Sequence, residues 1–595
     1  MRPVKTVAAA ALAILVALGM TSAATAQSND GGKVVLTIGV TSSSYDTLNP
    51  LVGYNAIDYD VWIPQYDTLT RKAASDFATI PGLAESWEAS NDGKTYTYKL
   101  RDGLTWSDDE PLTARDVAFT INRSREESWQ NYTAYTQHLT ARVIDDRTVE
   151  VTSSVPDPKL PGLGDTFILP EHIWGKLSAD QITKYAAEDG VGSGPFTLGE
   201  FKRGQYVKMK VNPSFWEGRR PIDEIVFRIF NNPDAMIAAL EKGEIDAAHN
   251  VPSQAFNRLS TEDGIVAVQG NQGGFDEIAI NGGAGLEKPH PALLDKQVRL
   301  AIAHAIDKQT LLDRVYEGIG SVIETVSPSP DPVWMPEIPE SDQFTFDPDL
   351  SRKILDDAGY KDTNGDGVRE MPGGGQPLEF TYYVRSNSEV APPVSDFVAG
   401  WLKDIGIKLD RKYVDTDQLG PIIGKGDYDM FHWSWTPYVD PDTQLSYFQC
   451  DQVAKASDPT LYNNDANWCN PKYDALYKQQ NVELDRDARI DIVHRMLKIF
   501  HDDATYLVFA LTPDLQAYRT DRFDGWLHQP ADVGPVIFSN TTPTYYNLAP
   551  SASSSSGGGG GISAGAVVGI AVAVLVGIGL VVYFVRRRAT AEERE

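Results

Sequence analysis

Hydrophobic positions along this chain switch between a period of two and a period of about 3.6, which predicts a mixed α/β fold. VVLTIGV (34–40) is a short β-branched run and reads as a strand. KTYTYKL (94–100) alternates, and the Asn91-Asp92-Gly93 turn before it predicts a hairpin. Further on, VRLAIAHAIDKQTLLDRVY (298–316) sets Val298, Ile302, Ala305, Leu312 and Val315 near one face of a helix. PLEFTYYV (377–384) and IGIKLDRKYV (405–414) read as strands flanking the helical APPVSDFVAGWLKDIG (391–406). A strand, helix and strand in this order predict a parallel pair joined by a crossover.

The same patterning marks both ends. Arg2 and Lys5 precede an apolar run from Val7 to Met20, and Ala24-Thr25-Ala26 follows. Residues 1–26 therefore read as a secretory signal cleaved after Ala26, since the run is short for a span of about 20 residues. No cysteine lies near that point, so no lipid-modified N-terminus is expected. Residues 549–561 (APSASSSSGGGGG) have almost nothing apolar to offset their ordering entropy, and read as a linker. Residues 562–585 carry no charge and are followed by Arg586-Arg587-Arg588. At about 1.5 Å per residue they exceed a hydrocarbon core of roughly 30 Å, so a single transmembrane helix is expected. The arginines place the tail 586–595 in the cytoplasm and the large domain outside the cell.

Between these ends the chain is too long for one hydrophobic core, and two or more lobes are expected. The 82 acidic residues outweigh 53 basic ones, giving a net charge of −29. No basic stripe exists to hold a nucleic acid, so that partner class drops out. The two cysteines, Cys450 and Cys469, lie close in sequence. Outside the cell such thiols pair, and the loop they close is worth roughly 3 kcal/mol in the chain-entropy model. A catalytic motif is missing: there is no H-E-x-x-H and no P-loop, and Gly192-Ser193-Gly194 lacks the spacing of a nucleophile elbow. An enzyme is not expected, and neither is a cofactor. One acidic loop, DTNGDGVRE, sets Asp362, Asn364, Asp366 and Gly367 at positions 1, 3, 5 and 6 of an EF-hand-like frame. Position 12, which should be a bidentate glutamate, is Gly373. The loop reads as an Asx-rich turn, with weak calcium binding as the alternative.

Longer blocks carry a resemblance. GLAESWEASNDGKTYTYKLRDGLTWSDDEPLTARDVAFTINR (82–123) resembles the signature region of the family 5 extracellular solute-binding proteins of ABC importers. These bind dipeptides, oligopeptides or nickel. GSGPFTLGEF, DEIVFRIFNNPDAMIAALEKGEIDAA, DKQVRLAIAHAIDKQTLLDRVYEG, DPDLSRKILDDAGY, GDYDMFHWSWTPYVDPDTQLSYFQC and NWCNPKYDALY follow in the same order. The resemblance implies a two-lobed α/β fold of the periplasmic-binding-protein type. It places lobe I at 33–279 with 510–548, carrying an extra subdomain, and lobe II at 280–509. The chain is expected to cross between lobes near FDEIAINGG and YLVFALTP.

It also implies a site. The turn Val439-Asp440-Pro441-Asp442 is similar to the family turn whose carboxylate captures a peptide's ammonium group, which points to Asp440. Trp433, Trp435 and Tyr438 would form apolar walls, and strand alternation puts Trp433 and Trp435 on one face. Ser44 and Tyr45 lie where a family loop approaches the ligand. Arg385 is near the position of an arginine that holds the ligand's carboxylate, although NSEVAPPVSDF departs from that pattern. The expected function is a membrane-tethered extracellular receptor that hands a peptide-like solute to the permease subunits of an ABC importer. The alternatives are a receptor for a non-peptide amine or metal-containing solute and, in another class, a secreted hydrolase of extracellular polymers.

Overall fold

The computed structural model describes residues 32–41, 47–52, 58–129, 132, 136–162, 166–453, 464–538 and 541–551. The expected signal peptide, most of the linker, the span 562–585 and the tail lie outside them. Among the described residues no helix is long and apolar enough to cross a membrane.

The chain opens with β1 (Val35–Val40), and a small ribbon follows from β2 (Thr70–Lys72) and β3 (Thr79–Pro81). Then come β4 (Ala84–Ala89), β5 (Thr95–Leu100), β6 (Leu139–Asp145) and β7 (Thr148–Ser153). These last four pair antiparallel in the order β4-β5-β7-β6. The hairpin expected at Asn91-Asp92-Gly93 joins β4 to β5, with Gly93 at φ +64°.

Two larger sheets organise the rest. β8 (Phe196–Lys202), β9 (Tyr206–Val211), β10 (Glu224–Ile229), β11 (Ala247–His249) and β12 (Ile265–Gly270) join β1 in a seven-stranded sheet. Its order is β12-β18-β11-β1-β10-β9-β8, where β18 is Asp514–Arg519. The second sheet contains β13 (Phe275–Ile280), β14 (Glu379–Arg385), β15 (Lys408–Val414), β16 (Met430–Trp435) and β17 (Tyr506–Leu511). They run in the order β15-β14-β16-β13-β17. β14 and β15 are parallel and joined through the helix Ala391–Asp404, the crossover read from the sequence.

β13, an interior strand between β16 and β17, is buried at every position, as a strand covered on both faces must be. Helices Lys296–His304, Lys308–Arg314 and Ala391–Asp404 pack their apolar faces on this sheet, around Ile278, Ile302, Leu311, Tyr382 and Val398. The single helix expected over 298–316 is thus two. Asp307 accepts a hydrogen bond from the Thr310 backbone N–H at 3.0 Å, capping a new helix and ending the old one.

The chain passes between the two sheets twice. Residues 271–274 lead from β12 into β13, and Thr512 and Pro513 lead from β17 back to β18. β13 and β17 therefore belong wholly to the second sheet, and the boundaries expected at 279/280 and 509/510 fall inside them. The two crossings touch: the Thr512 N–H donates to the Gly274 carbonyl at 2.7 Å. Gly273 sits at φ +72°, and a Cβ there would lie 2.7 Å from the Ser329 carbonyl, so only glycine fits. Cys450 and Cys469 form a disulfide, as read from the sequence.

Candidate functional site

Both crossings open onto a cleft. Its larger chamber, of about 790 Å³, is lined on one side by the helix Tyr59–Gln65, the end of β11 and the start of β18. Thr436, Pro437 and Tyr438, just after β16, close its other side. A second chamber of about 480 Å³ is lined by Asp276, Tyr316, Arg385, Ser434 and Trp435. Both chambers are lined by Thr436, Thr512 and Pro513, so they meet at the second crossing.

Several charges in the first chamber are matched within the protein. Arg71 is held by Asp67, with Nε 2.9 Å from Oδ1, and by Glu217 at 3.1 Å. Its guanidinium also lies 4.6 Å from the Tyr546 ring and 4.8 Å from Trp216, a cation–π arrangement. Asp514 Oδ2 accepts from His249 Nε2 at 3.0 Å, Gln272 Nε2 at 2.9 Å and Gln516 Nε2 at 2.6 Å. Asp60 is different. It is only 4% exposed, lines the chamber, and its Oδ2 has no hydrogen-bond partner among the described residues. Burial, then the nearby Asp514 and Asp58, push its carboxyl well above the usual range.

The second chamber holds a cation. Arg385 ends β14, donates from Nη2 to Ser434 Oγ at 3.0 Å, and stacks 4.6 Å over the Trp433 ring. Its buried Nε has no partner among the described residues. Behind it burial pushes Asp276 up to about 6, against the hydrogen bond from Tyr316 and the charge of Arg385. Deeper still, the Tyr506 hydroxyl lies 3.0 Å from Glu277 and 2.9 Å from Asp465. One hydroxyl proton cannot serve two carboxylates, so one of the pair carries its own proton. Burial pushes Asp465 up to about 7.

The model of the bacterial extracellular solute-binding proteins, family 5, matches residues 78–455, more than half of the chain. The chain belongs to this family. The blocks read from the sequence, beginning with Gly82–Arg123, thus pointed to the right family. The oligopeptide-binding protein AppA of Bacillus subtilis (strain 168) is 26% identical over 458 residues, covering 75% of this chain and 81% of the relative. The solved structure of B. subtilis AppA in complex with a nonapeptide matches with a TM-score of 0.68 at 23% identity, over 87% of this chain and 99% of that one. NikZ from Campylobacter jejuni, in complex with Ni(L-His), gives a TM-score of 0.69 at 20% identity, with coverages of 87% and 99%. At these identities the structural likeness shows the fold, which is the two-lobed one expected.

Within this family 5 protein the residues singled out by sequence divide into groups. Tyr438, Trp435 and Arg385 line the cleft. Trp433 and Trp435 both pack on the core around Phe275 and Phe500 and so share a face of β16; Trp433 supports Arg385 from beneath. Ser44 and Tyr45 lie outside the described residues. Asp440 is placed differently from the expectation. Both of its oxygens face Arg489, at 2.7 and 2.8 Å, and it lines neither chamber. Burial raises its carboxyl, but the charge and hydrogen bonds of Arg489 overcome this and hold it at about 2. Asp442, two residues on, takes Lys159 Nζ at 2.7 Å. The carboxylates of the turn thus answer cations of the protein itself. Asp60, Asp514, His249 and Gln272 were missed. Their one signal was two aspartates flanking Tyr59 at the head of an apolar helical stretch.

Replacing Arg489 with Met leaves Asp440 without its cation. The expected loss of stability is about 2–3 kcal/mol, less than for a fully buried charge because the Asp440 side chain is 33% exposed. Chemical denaturation measures it. Unchanged stability together with lost solute affinity would show that Asp440 and Arg489 act on the ligand instead.

Proposed function

We propose that this protein captures a peptide-like solute in its cleft and delivers it to an ABC importer. The observation that carries this reading is the pair of incompletely satisfied groups in contiguous chambers: the buried Oδ2 of Asp60 in one and the buried Nε of Arg385 in the other. Burying such groups without partners costs free energy, and a ligand with an ammonium group and a carboxylate removes both costs at once. Asp60, beside Asp514, is the anchor for the ammonium, and Arg385 for the carboxylate. Trp435 and Tyr438 supply apolar walls that tolerate varied side chains. The first chamber alone falls in the range of about 300–1,000 Å³ that holds a drug-sized ligand, and the second extends it, which favours an oligopeptide. The nonapeptide bound by AppA, a relative of the same fold, agrees with that size.

Residues 562–585 anchor the receptor beside the permease, with the binding domain outside the cell. The uncharged run and the arginine triplet after it support this part of the reading. Lobes that swing about the two crossings close on the solute, and closure shifts the population toward the form a permease recognises.

Calorimetry with a peptide mixture, free or N-acetylated, tests the anchors. Wild-type protein is expected to prefer free N-termini. Asp60→Asn loses that preference and about 1–3 kcal/mol of affinity, as a charge-assisted bond becomes a neutral one. Equal binding of free and acetylated peptides by the wild type would reject Asp60 as anchor. Deleting residues 557–595 is expected to release a folded protein into the medium with unchanged affinity. Retention of that truncated protein on the cells would contradict the tether.

A further inference from the structure

The loop after the helix Pro348–Asp357 gathers three carboxylates that the cleft does not use. An oxygen from each of Asp362, Asp366 and Glu370 lies within 4.8 Å of the other two. None of the three has an ion-pair partner among the described residues. The neighbouring Arg369 is engaged elsewhere: its Nε donates to the Ile405 carbonyl at 2.9 Å and its Nη1 to Asp356 at 2.6 Å.

Glu370 is the decisive residue. It is 4% exposed, although a glutamate is rarely that deeply buried without a partner for its charge. Its Oε2 accepts from the Thr363 N–H at 2.8 Å and the Thr363 hydroxyl at 2.9 Å, while its buried Oε1 has no partner among the described residues. Bridges from Glu370 to Lys361 and Pro377 hold its backbone in place. The exposed pair opposite is held by the backbone as well. Asp362 accepts from the Gly365 and Gly367 N–H groups at 2.6 and 2.9 Å, and Asp366 from the Val368 N–H at 2.8 Å. Gly365 and Gly367, at φ +80° and +90°, make that tight turn possible.

We infer that this loop binds a calcium ion, with Asp362, Asp366 and Glu370 as its carboxylate ligands and Asn364 beside them. The glutamate missing at position 12 of the EF-hand-like frame is replaced by Glu370 at position 9, which the fold brings back over the loop. A set of oxygen-only donors suits calcium, which takes six to eight oxygens, better than magnesium, which demands a near-octahedral set, or zinc, which prefers nitrogen and sulfur. The loop runs into β14, the strand that ends at Arg385, but none of its residues lines either chamber. The ion is therefore a brace of the second lobe.

The test uses the full chain, stripped with EGTA and then titrated with calcium chloride while heat and Tm are followed. One ion per chain and a Tm rise of about 2 °C are expected at about 10 mM calcium, above the range in which extracellular oxygen-ligand sites load. Asp366→Asn, on the exposed side of the loop, keeps the fold and weakens binding tenfold or more; Glu370→Gln does the same. No heat and no Tm shift would overturn the proposal, as would unchanged calcium affinity in Asp366→Asn. An equal response to magnesium would overturn the assignment to calcium.

Discussion

The hydrogen bond from Thr512 N–H to the Gly274 carbonyl ties together the two strand-to-strand crossings between the large sheets among the described residues, and both crossings line the cleft. Because β13 and β17 both lie in the second sheet while β12 and β18 lie in the first, any movement of one lobe against the other must be absorbed by residues 271–274 and 512–513. Gly273, with its positive φ and no room for a Cβ, fixes the path of the first crossing. The same segments carry cleft groups. Gln272 donates to Asp514 across the gap at 2.9 Å, and both line the larger chamber. The crossings and part of the cleft lining are thus the same residues, so under the proposed function a ligand seated there acts directly on the segments that join the lobes.

Charge pairing separates scaffold from site. Arg71 with Asp67, Arg489 with Asp440, and Lys159 with Asp442 are complete within the protein. Each holds elements distant in sequence or fixes a turn, and each charge is matched inside the protein. Asp60 and Arg385 each keep a buried polar atom without a partner among the described residues. In a low-dielectric interior an unmatched polar atom is costly, and its persistence in a cleft is best explained by a ligand that matches it.

Much of the fold was legible in the sequence because it rests on local patterns. The alternation in KTYTYKL and the strand–helix–strand of residues 377–414 translate directly into pairing. The break at Asp307 was not seen, since apolar periodicity continues across it while the cap acts only once the helix Lys308–Arg314 forms. The family was readable from long blocks, and three of the residues singled out, Arg385, Trp435 and Tyr438, line the cleft. Asp440 illustrates the limit. Its turn was visible, but its partner Arg489 lies 49 positions away on another helix, and no local pattern announces such a pair. Asp60 was hidden for a similar reason: its isolation depends on what surrounds it, including Asp514 at the far end of the chain.

Closure of the lobes on a solute is the core of this account. Small-angle X-ray scattering on the soluble domain tests it most directly, recorded without ligand and with a peptide shown by calorimetry to saturate the protein. The account predicts a smaller radius of gyration and a narrower distance distribution when peptide is bound. An unchanged scattering profile at saturation would contradict closure about residues 271–274 and 512–513.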